Sequence, residues 1–271
     1  MAAPATMRRA ELSEAAYLWD MAEGCEPGLA ARLGLAGTRV GGAVVRVAAN
    51  DPMGGFWNRC LGLGMTEPVT DEVLEEVIAF SAGHGAPTMT LQVAPEAEGA
   101  RPELLQAHGL ERGSTWVKFM GPLPDLPPVA TDLRVDAVGP ADVEEAATVV
   151  ITGFEAPQGL MTEWCADQMR RPHWGAFAAW EGDRIVAAGM LFVHGDTAHL
   201  VGAATLPQAR GRGAQSALMR ARVEEARHRG CRWIGTETGA ESPESPNPSL
   251  HNMRRLGFTE LYERRNWVWK P

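Results

Sequence analysis

The chain has 271 residues and a formal net charge of −9, with 22% charged and 45% hydrophobic residues. This length allows one large or two medium domains, and the acidic balance argues against a nucleic-acid partner. No apolar run approaches the ~20 residues that span a bilayer, and the start lacks the apolar core of a signal peptide. Cys25, Cys60, Cys165 and Cys231 are scattered without metal-ligand spacing. We therefore expect reduced thiols, a cytoplasmic location, no metal site and no membrane partner.

The first half contains a short series of recognisable elements. Its hydrophobic pattern predicts a helix over 72–85, a strand over 88–93, a short helix over 102–108 and a strand over 114–120. A proline-rich segment, 121–128, follows. We therefore predict two domains, at 1–125 and 126–271.

The second half repeats that order. A helix is predicted over 216–230, a strand over 231–238, a short helix over 249–256 and a strand over 266–270. Gly109 and Gly257, which follow the short helices, lie 148 positions apart, and Trp116 and Trp267 in the last strands lie 151 apart. A repeat of this length indicates a duplicated domain, since solenoid units are far shorter.

The second half also contains a glycine-rich loop between a predicted strand, 197–204, and a helix that begins at Ala214. Gly211 and Gly213 stand there beside Arg210 and Arg212. Such a loop turns backbone N–H groups toward one point at the positive end of the helix dipole, where a pyrophosphate binds well. A side chain at Gly213 would block that approach. A glycine-rich connection without a ligand is the alternative.

Two other phosphate loops do not fit. A Walker loop needs Lys-Ser/Thr after its last glycine, but Gly213 is followed by Ala-Gln-Ser. A dinucleotide fingerprint needs a third glycine, which is missing. Residues 210–215, Arg-Gly-Arg-Gly-Ala-Gln, instead resemble the acetyl-CoA loop Q/R-x-x-G-x-G/A of the GNAT N-acetyltransferase superfamily, from which Gln215 departs.

A second segment agrees with this resemblance. Residues 252–258, Asn-Met-Arg-Arg-Leu-Gly-Phe, are similar to the family's N-x-x-x-x-G-F piece and stand in the family's order. The resemblance covers roughly 132–270. It implies an α/β (α+β) fold of two tandem GNAT-like domains, each a mixed, mostly antiparallel sheet flanked by helices.

The resemblance also implies acetyl-CoA as co-substrate. The residues expected to hold it are Ala203 and Thr205 for the pantetheine, Arg210, Gly211, Arg212, Gly213, Ala214, Gln215 and Ser216 for the pyrophosphate, and Asn252 from the far side. The first half lacks such a loop, because Arg59 is the only basic residue in 58–67. Residues 1–128 carry 9 Lys and Arg against 16 Asp and Glu, while 129–271 carry 16 against 18. We expect one coenzyme site per chain.

Two residues are candidates for the base that deprotonates the acceptor amine. His199 stands six residues before Thr205, where family members carry a glutamate, and its unperturbed pKa of about 6.5 suits the task. It could equally be a surface or packed histidine. Glu237 is the second candidate, or else a solvated or hydrogen-bonded strand carboxylate. Many family members carry a tyrosine that protonates the CoA thiolate, but the corresponding position here is Met253. We therefore assign no residue as the general acid.

Acceptor recognition is expected at Phe154, Glu155 and Trp174, around a helix predicted over 160–171. Glu155 would attract a cationic amine and the aromatic rings would pack on its body. The alternative is that the tryptophan is a core residue and the acid is solvated. The resemblance thus implies acetyl transfer to a small-molecule primary amine, with a longer acyl group or a catalytically silent CoA-binding or interaction module as alternatives. The sequence leaves monomer and homodimer open.

Overall fold

The structure, a computed structural model, describes residues 5–97 and 99–271. The helices of these residues are α1 (Ala5–Glu23), α2 (Pro27–Leu33), α3 (Asp71–Gly83), α4 (Pro102–Ala107), α5 (Val143–Gly153), α6 (Leu160–Met169), α7 (Ala214–His228) and α8 (Pro248–Arg255). The strands are β1 (Leu35–Val40), β2 (Ala43–Ala48), β3 (Arg59–Leu61), β4 (Met89–Val93), β5 (Glu111–Pro122), β6 (Arg134–Ala137), β7 (Trp174–Glu181), β8 (Arg184–His194), β9 (Thr197–Thr205), β10 (Trp233–Gly239) and β11 (Glu260–Trp269). Every element predicted from the sequence is present, with ends that differ by a few residues.

The chain folds into two compact units that differ from its two sequential halves. Unit 1 comprises residues 1–120, 237–251 and 259–271, and unit 2 comprises 121–236 and 252–258. The domains predicted at 1–125 and 126–271 remain a prediction about the repeat, because the compact units assign much of the chain after Thr236 to the first.

Unit 1 is built on a sheet in the order β1-β2-β3-β4-β11-β5. Its strands pair antiparallel except β3 and β4, which are parallel and are connected through α3. Thr70 caps α3, since its Oγ1 accepts a hydrogen bond from the Val73 N–H at 3.4 Å, as a residue at that position commonly does. Leu91 and Trp267 are among the buried side chains of its core.

Unit 2 has the order β10-β9-β8-β7-β6. Its one parallel pair, β9 with β10, is connected through α7, and the other strands pair antiparallel. Leu218 of α7 packs with Leu133 and Phe177 in the core beneath that helix. An antiparallel pair followed by a parallel pair across a helix therefore occurs in both units. Each sheet is mixed and mostly antiparallel, as the sequence predicted.

The described residues hold no helix that is both long and apolar enough to cross a membrane.

Candidate functional site

Strands β9 and β10 diverge in unit 2. In the described part of the chain they pair only from Thr197 with Trp233 to His199 with Gly235. Beyond that point the Thr236 hydroxyl donates to the Leu200 carbonyl at 3.2 Å, and residues 201–203 become partly exposed. Backbone groups on this edge of β9, including those of Ala203, are left for another partner. This edge of β9 is therefore open beyond His199.

A loop with a left-handed backbone at both glycines carries the chain from β9 into α7. Gly211 and Gly213 have φ angles of +78° and +80°, and no side chain caps the helix. Among the described residues, none accepts a hydrogen bond from the backbone N–H of Ala214, Gln215 or Ser216. Three unsatisfied donors in one helical turn are able to bind an anion.

The two glycines differ in their surroundings. A Cβ on Gly211 would have no neighbour within 4 Å, so the loop is open there. A Cβ on Gly213 would lie 2.5 Å from the Ala130 carbonyl oxygen. The expectation that Gly213 is small chiefly to admit a ligand is therefore incomplete, because the chain's own backbone already requires glycine at that position.

The loop arginines are engaged by the protein. Arg212 donates from Nε and Nη2 to Asp132, at 3.1 and 2.5 Å, and from Nη1 to Glu181 at 2.5 Å. Hydrogen bonds with these carboxylates raise the pKa of Arg212. Arg210 donates from Nε to the Thr205 carbonyl at 3.3 Å. A phosphate would thus have to compete with two carboxylates for Arg212.

Sequence reasoning missed a third arginine near this loop. Arg255 of α8 donates from Nη2 to Ser216 Oγ at 2.7 Å and to Asn252 Oδ1 at 3.0 Å. It therefore joins the predicted far-side residue Asn252 to the first turn of α7. The signal available was its position three residues after Asn252, on the same helix face. Gln215, the residue that departs from the family loop, donates to Thr205 Oγ1 at 3.0 Å and links the loop to the strand end.

His199, the first candidate base, is 1% exposed. It stands at the last paired position between β9 and β10 and opposite Phe192 of β8. It is therefore placed where the two strands begin to diverge. Met253, at the family's tyrosine position, is 6% exposed and belongs to the core.

Glu237, the second candidate base, is a hydrogen-bonded carboxylate of unit 1. Lys118 Nζ donates to its Oε2 at 3.0 Å, and the Tyr17 hydroxyl donates to its Oε1 at 3.4 Å. Burial and the charge of Glu237 raise the pKa of Tyr17. A substrate amine would compete with the Lys118 ammonium for this carboxylate, so the geometry favours the structural alternative. Its catalytic role stays a prediction.

The predicted acceptor residues fall into two classes. Phe154 and Glu155 follow the end of α5, where Phe154 is 55% exposed and Glu155 has a φ of +56°. The preceding Gly153 lies so close to β9 that a Cβ on it would stand 2.4 Å from the Ala204 Cβ. These two residues are thus beside the end of the diverging strand. Trp174 is 3% exposed and its ring lies 5.1 Å from that of Phe192. Its burial favours the alternative that it is a core residue, and its assignment to the acceptor site stays a prediction.

Known proteins share this fold. Residues 144–258 match the model of the acetyltransferase (GNAT) family. The structure is similar to a GCN5-related N-acetyltransferase from Kribbella flavida, with a TM-score of 0.62, 16% identity, and coverage of 100% of this chain and 96% of that chain. It is also similar to a GCN5-related N-acetyltransferase from Sphaerobacter thermophilus, with a TM-score of 0.59, 15% identity, and coverage of 99% of this chain and 94% of that chain. A third similar structure is a tandem GNAT protein from the clavulanic acid biosynthesis pathway, with a TM-score of 0.56, 16% identity, and coverage of 85% of this chain and 79% of that chain. No curated protein matches the sequence.

Proposed function

Residues 144–258 form an acyltransferase domain of the GNAT family, and from that premise we propose that the protein transfers an acetyl group from acetyl-CoA to a primary amine of a small molecule. The observation that carries the proposal is the row of unsatisfied N–H groups on Ala214, Gln215 and Ser216, next to the strand edge where β9 leaves β10. The first turn of α7 offers hydrogen-bond donors to an anion, and the open edge of β9 offers free backbone groups to an extended amide chain. CoA contains both kinds of group, the pyrophosphate and the amide chain of pantetheine.

The residues fit the coenzyme in three respects. The backbone N–H groups of the first turn of α7 would hold the pyrophosphate, and the open space at Gly211 lets it approach. Backbone groups of Ala203 and Thr205 would hold the pantetheine amides. Arg255 would add a positive charge beside Ser216.

Acetyl-CoA supplies the thioester whose acetyl group passes to the amine nitrogen while the CoA thiol leaves. The opening between β9 and β10 beyond His199 is the proposed coenzyme slot. We propose that His199 removes the proton of the amine, since it stands where this slot begins. Phe154 and Glu155, beside the far end of β9, would contact the acceptor. The protein's main contribution is to hold both reactants in line, because proximity supplies much of the rate enhancement in such reactions.

We also propose that the two halves arose by duplication and that the first half holds no coenzyme. Arg59 is buried, donates to Gln92 Oε1 at 3.0 Å and lies over the rings of Phe56 and Trp116. At the end of β3, a Cβ on Gly62 would lie 3.6 Å from side-chain atoms of α1. The chain itself thus fills the place that corresponds to the slot. A cytoplasmic location is part of this proposal, and the buried cysteine thiols support it.

The proposed base is tested by kinetics with a thiol-release assay over a panel of amines. His199→Ala should lower kcat/KM by about 10²-fold near neutral pH, while the Kd for CoA stays within about threefold. The deficit should shrink as pH approaches the pKa of the amine, because more acceptor is then already deprotonated. Glu237→Gln is the comparison. Full activity in His199→Ala beside a large loss in Glu237→Gln would transfer the role to the carboxylate.

A catalytically silent CoA-binding module is the second candidate, and the buried Met253 at the family's tyrosine position favours it. Calorimetry with CoA and the thiol-release assay separate the two candidates. Binding without release of thiol on any amine of the panel would select the module.

A further inference from the structure

Arg222 of α7 is a buried cation that the proposed mechanism does not use. It is 1% exposed. Its Nε donates to the Leu218 carbonyl and its Nη1 to the Met190 carbonyl, each at 3.1 Å. Among the described residues no carboxylate pairs with it, and burial lowers its pKa to about 10, so it stays charged at neutral pH. Burying a charge without a counter-ion is unfavourable, and an apolar side chain would be a less costly choice for this position.

Met190, whose carbonyl accepts the hydrogen bond from Arg222 Nη1, lies at a β-bulge. The register between β8 and β9 shifts between Gly189 and Met190, because Gly202 is an extra residue in β9. Gly202 has a φ of +41°, and a Cβ on it would lie 3.1 Å from the Met190 Cε. Met190 thus contacts Arg222 through its carbonyl and covers the bulge with its side chain. A bulge bends its strand and increases the local twist, and this one lies in the part of β9 that has left β10.

The neighbouring strands leave room for the guanidinium. A Cβ on Gly189 would lie 3.1 Å from the Cζ and Nη1 of Arg222 and 2.8 Å from the Ala203 Cβ. Glycine at 189 therefore leaves room both for the guanidinium and for the Ala203 methyl group. Ala203 is also one of the residues proposed to hold the pantetheine.

We propose that Arg222 is a positioning residue for the coenzyme slot. By holding the Met190 carbonyl it fixes the bulge at Gly202, and with it the course of β9 beyond its last pair with β10. It acts on coenzyme binding without touching the coenzyme. The inference rests on the proposed coenzyme site, but its effect on the bulge exists in the ligand-free protein.

The test compares Arg222→Met, which keeps the volume and removes the charge and hydrogen bonds, with Arg220→Met. Arg220 is on the same helix, is 37% exposed and pairs with Glu224. Arg222→Met should raise the Kd for CoA at least tenfold in calorimetry, with a matching rise in the KM for acetyl-CoA. Arg220→Met should stay within twofold of the wild type. Arg222→Lys should recover part of the loss, because an ammonium can still donate to one carbonyl.

Hydrogen exchange of the ligand-free protein gives a readout that does not depend on the coenzyme. The amides of Val201 and Ala204, which pair with β8 on either side of the bulge, should exchange at least tenfold faster in Arg222→Met, while those of β4 and β11 in unit 1 keep their rates. If Arg222→Met does not fold, Arg222→Lys decides, because it loses one of the two carbonyl contacts, so its exchange at Val201 and Ala204 and its Kd for CoA should still exceed those of the wild type. Wild-type exchange at Val201 and Ala204 together with a wild-type Kd, in whichever variant folds, would overturn the proposal. A wild-type protein that binds no CoA would remove the proposed function, and the exchange comparison would still decide the role of Arg222.

Discussion

Gly211 and Gly213 illustrate what a sequence motif conveys about single residues. Both have a left-handed backbone, as the loop requires. The motif identified them, but it gave no sign that Gly213 packs against the Ala130 carbonyl, 83 positions earlier. Distance in sequence also hid the partners of Arg212, since Asp132 lies 80 positions away and Glu181 lies 31 positions away. Local patterns predict backbone conformation well, but they do not reveal which side chains are already paired.

The two glycines should therefore respond differently to alanine. Gly211→Ala places a side chain in the left-handed region without a clash, which costs about 1–2 kcal/mol of unfolding free energy. Gly213→Ala adds a collision with backbone, so its loss should be clearly larger. Urea unfolding of both variants measures the difference. Equal losses would mean that the Ala130 segment moves aside without cost.

Calorimetry with CoA completes the comparison. Gly211→Ala should weaken binding more than its loss of stability explains, because its Cβ enters the open side of the loop. Unchanged affinity in this variant would contradict the assignment of the loop to the pyrophosphate.

At the scale of elements, those with a strong local signal were predicted. The helix predicted over 72–85 is α3, and the strand predicted over 231–238 is β10. The positions of elements within the sheets were not predictable in the same way. β11 pairs with β4 through Trp267 and Leu91, which are 176 positions apart. Long-range packing and hydrogen bonding select β4 as the partner of β11, and the hydrophobic periodicity of the sequence gives no information about that choice.

Buried charges on α1, β5 and β11 accompany that pairing in unit 1. Arg264 donates to Glu11 Oε1 at 2.9 Å and to Glu14 Oε1 at 2.8 Å, and Lys118 donates to Glu14 Oε2 at 2.5 Å. All four side chains are at most 1% exposed. Although burial opposes ionisation, Arg264 and Lys118 hold the pKa of Glu14 below its ordinary value of 4.5. These ion pairs connect α1 to β5 and to β11.

The unfolding free energy of unit 1 should consequently depend on pH and fall under acidic conditions. A carboxylate with a depressed folded pKa stabilises the fold fully above its unfolded pKa, near 4.5 for Glu14, and this contribution is lost as pH falls through the folded value. Glu14→Gln removes the buried carboxylate that Arg264 and Lys118 share, leaving each cation with one carboxylate, and should cost about 3–5 kcal/mol at pH 7. Its deficit should narrow toward pH 3. Urea unfolding from pH 7 to pH 3 tests this, with exposed Glu23→Gln on the same helix as the control. A deficit that does not change with pH would contradict the assigned charge state.

At the scale of the whole molecule, the repeat seen in the sequence and the compact units describe different divisions of the chain. The repeat predicts a first domain that ends near residue 125. Unit 1, however, includes 237–251 and 259–271, and β11 lies between β4 and β5 in its sheet. A fragment that ends at residue 125 would therefore lack an internal strand.

We expect the fragment 1–125 to show no cooperative unfolding, because both β4 and β5 lose their pairing with β11 and the carboxylates of Glu11 and Glu14 lose Arg264. Adding residues 259–271 to it through a flexible glycine-serine linker should restore a cooperative transition, as followed by circular dichroism in urea. The same fusion with Arg264→Met should remain unfolded or be much weaker, since buried Glu11 then lacks its counter-ion and Glu14 keeps only Lys118. Cooperative unfolding of 1–125 by itself would show that the first half is an independent domain and that β11 only adds to a sheet that forms without it.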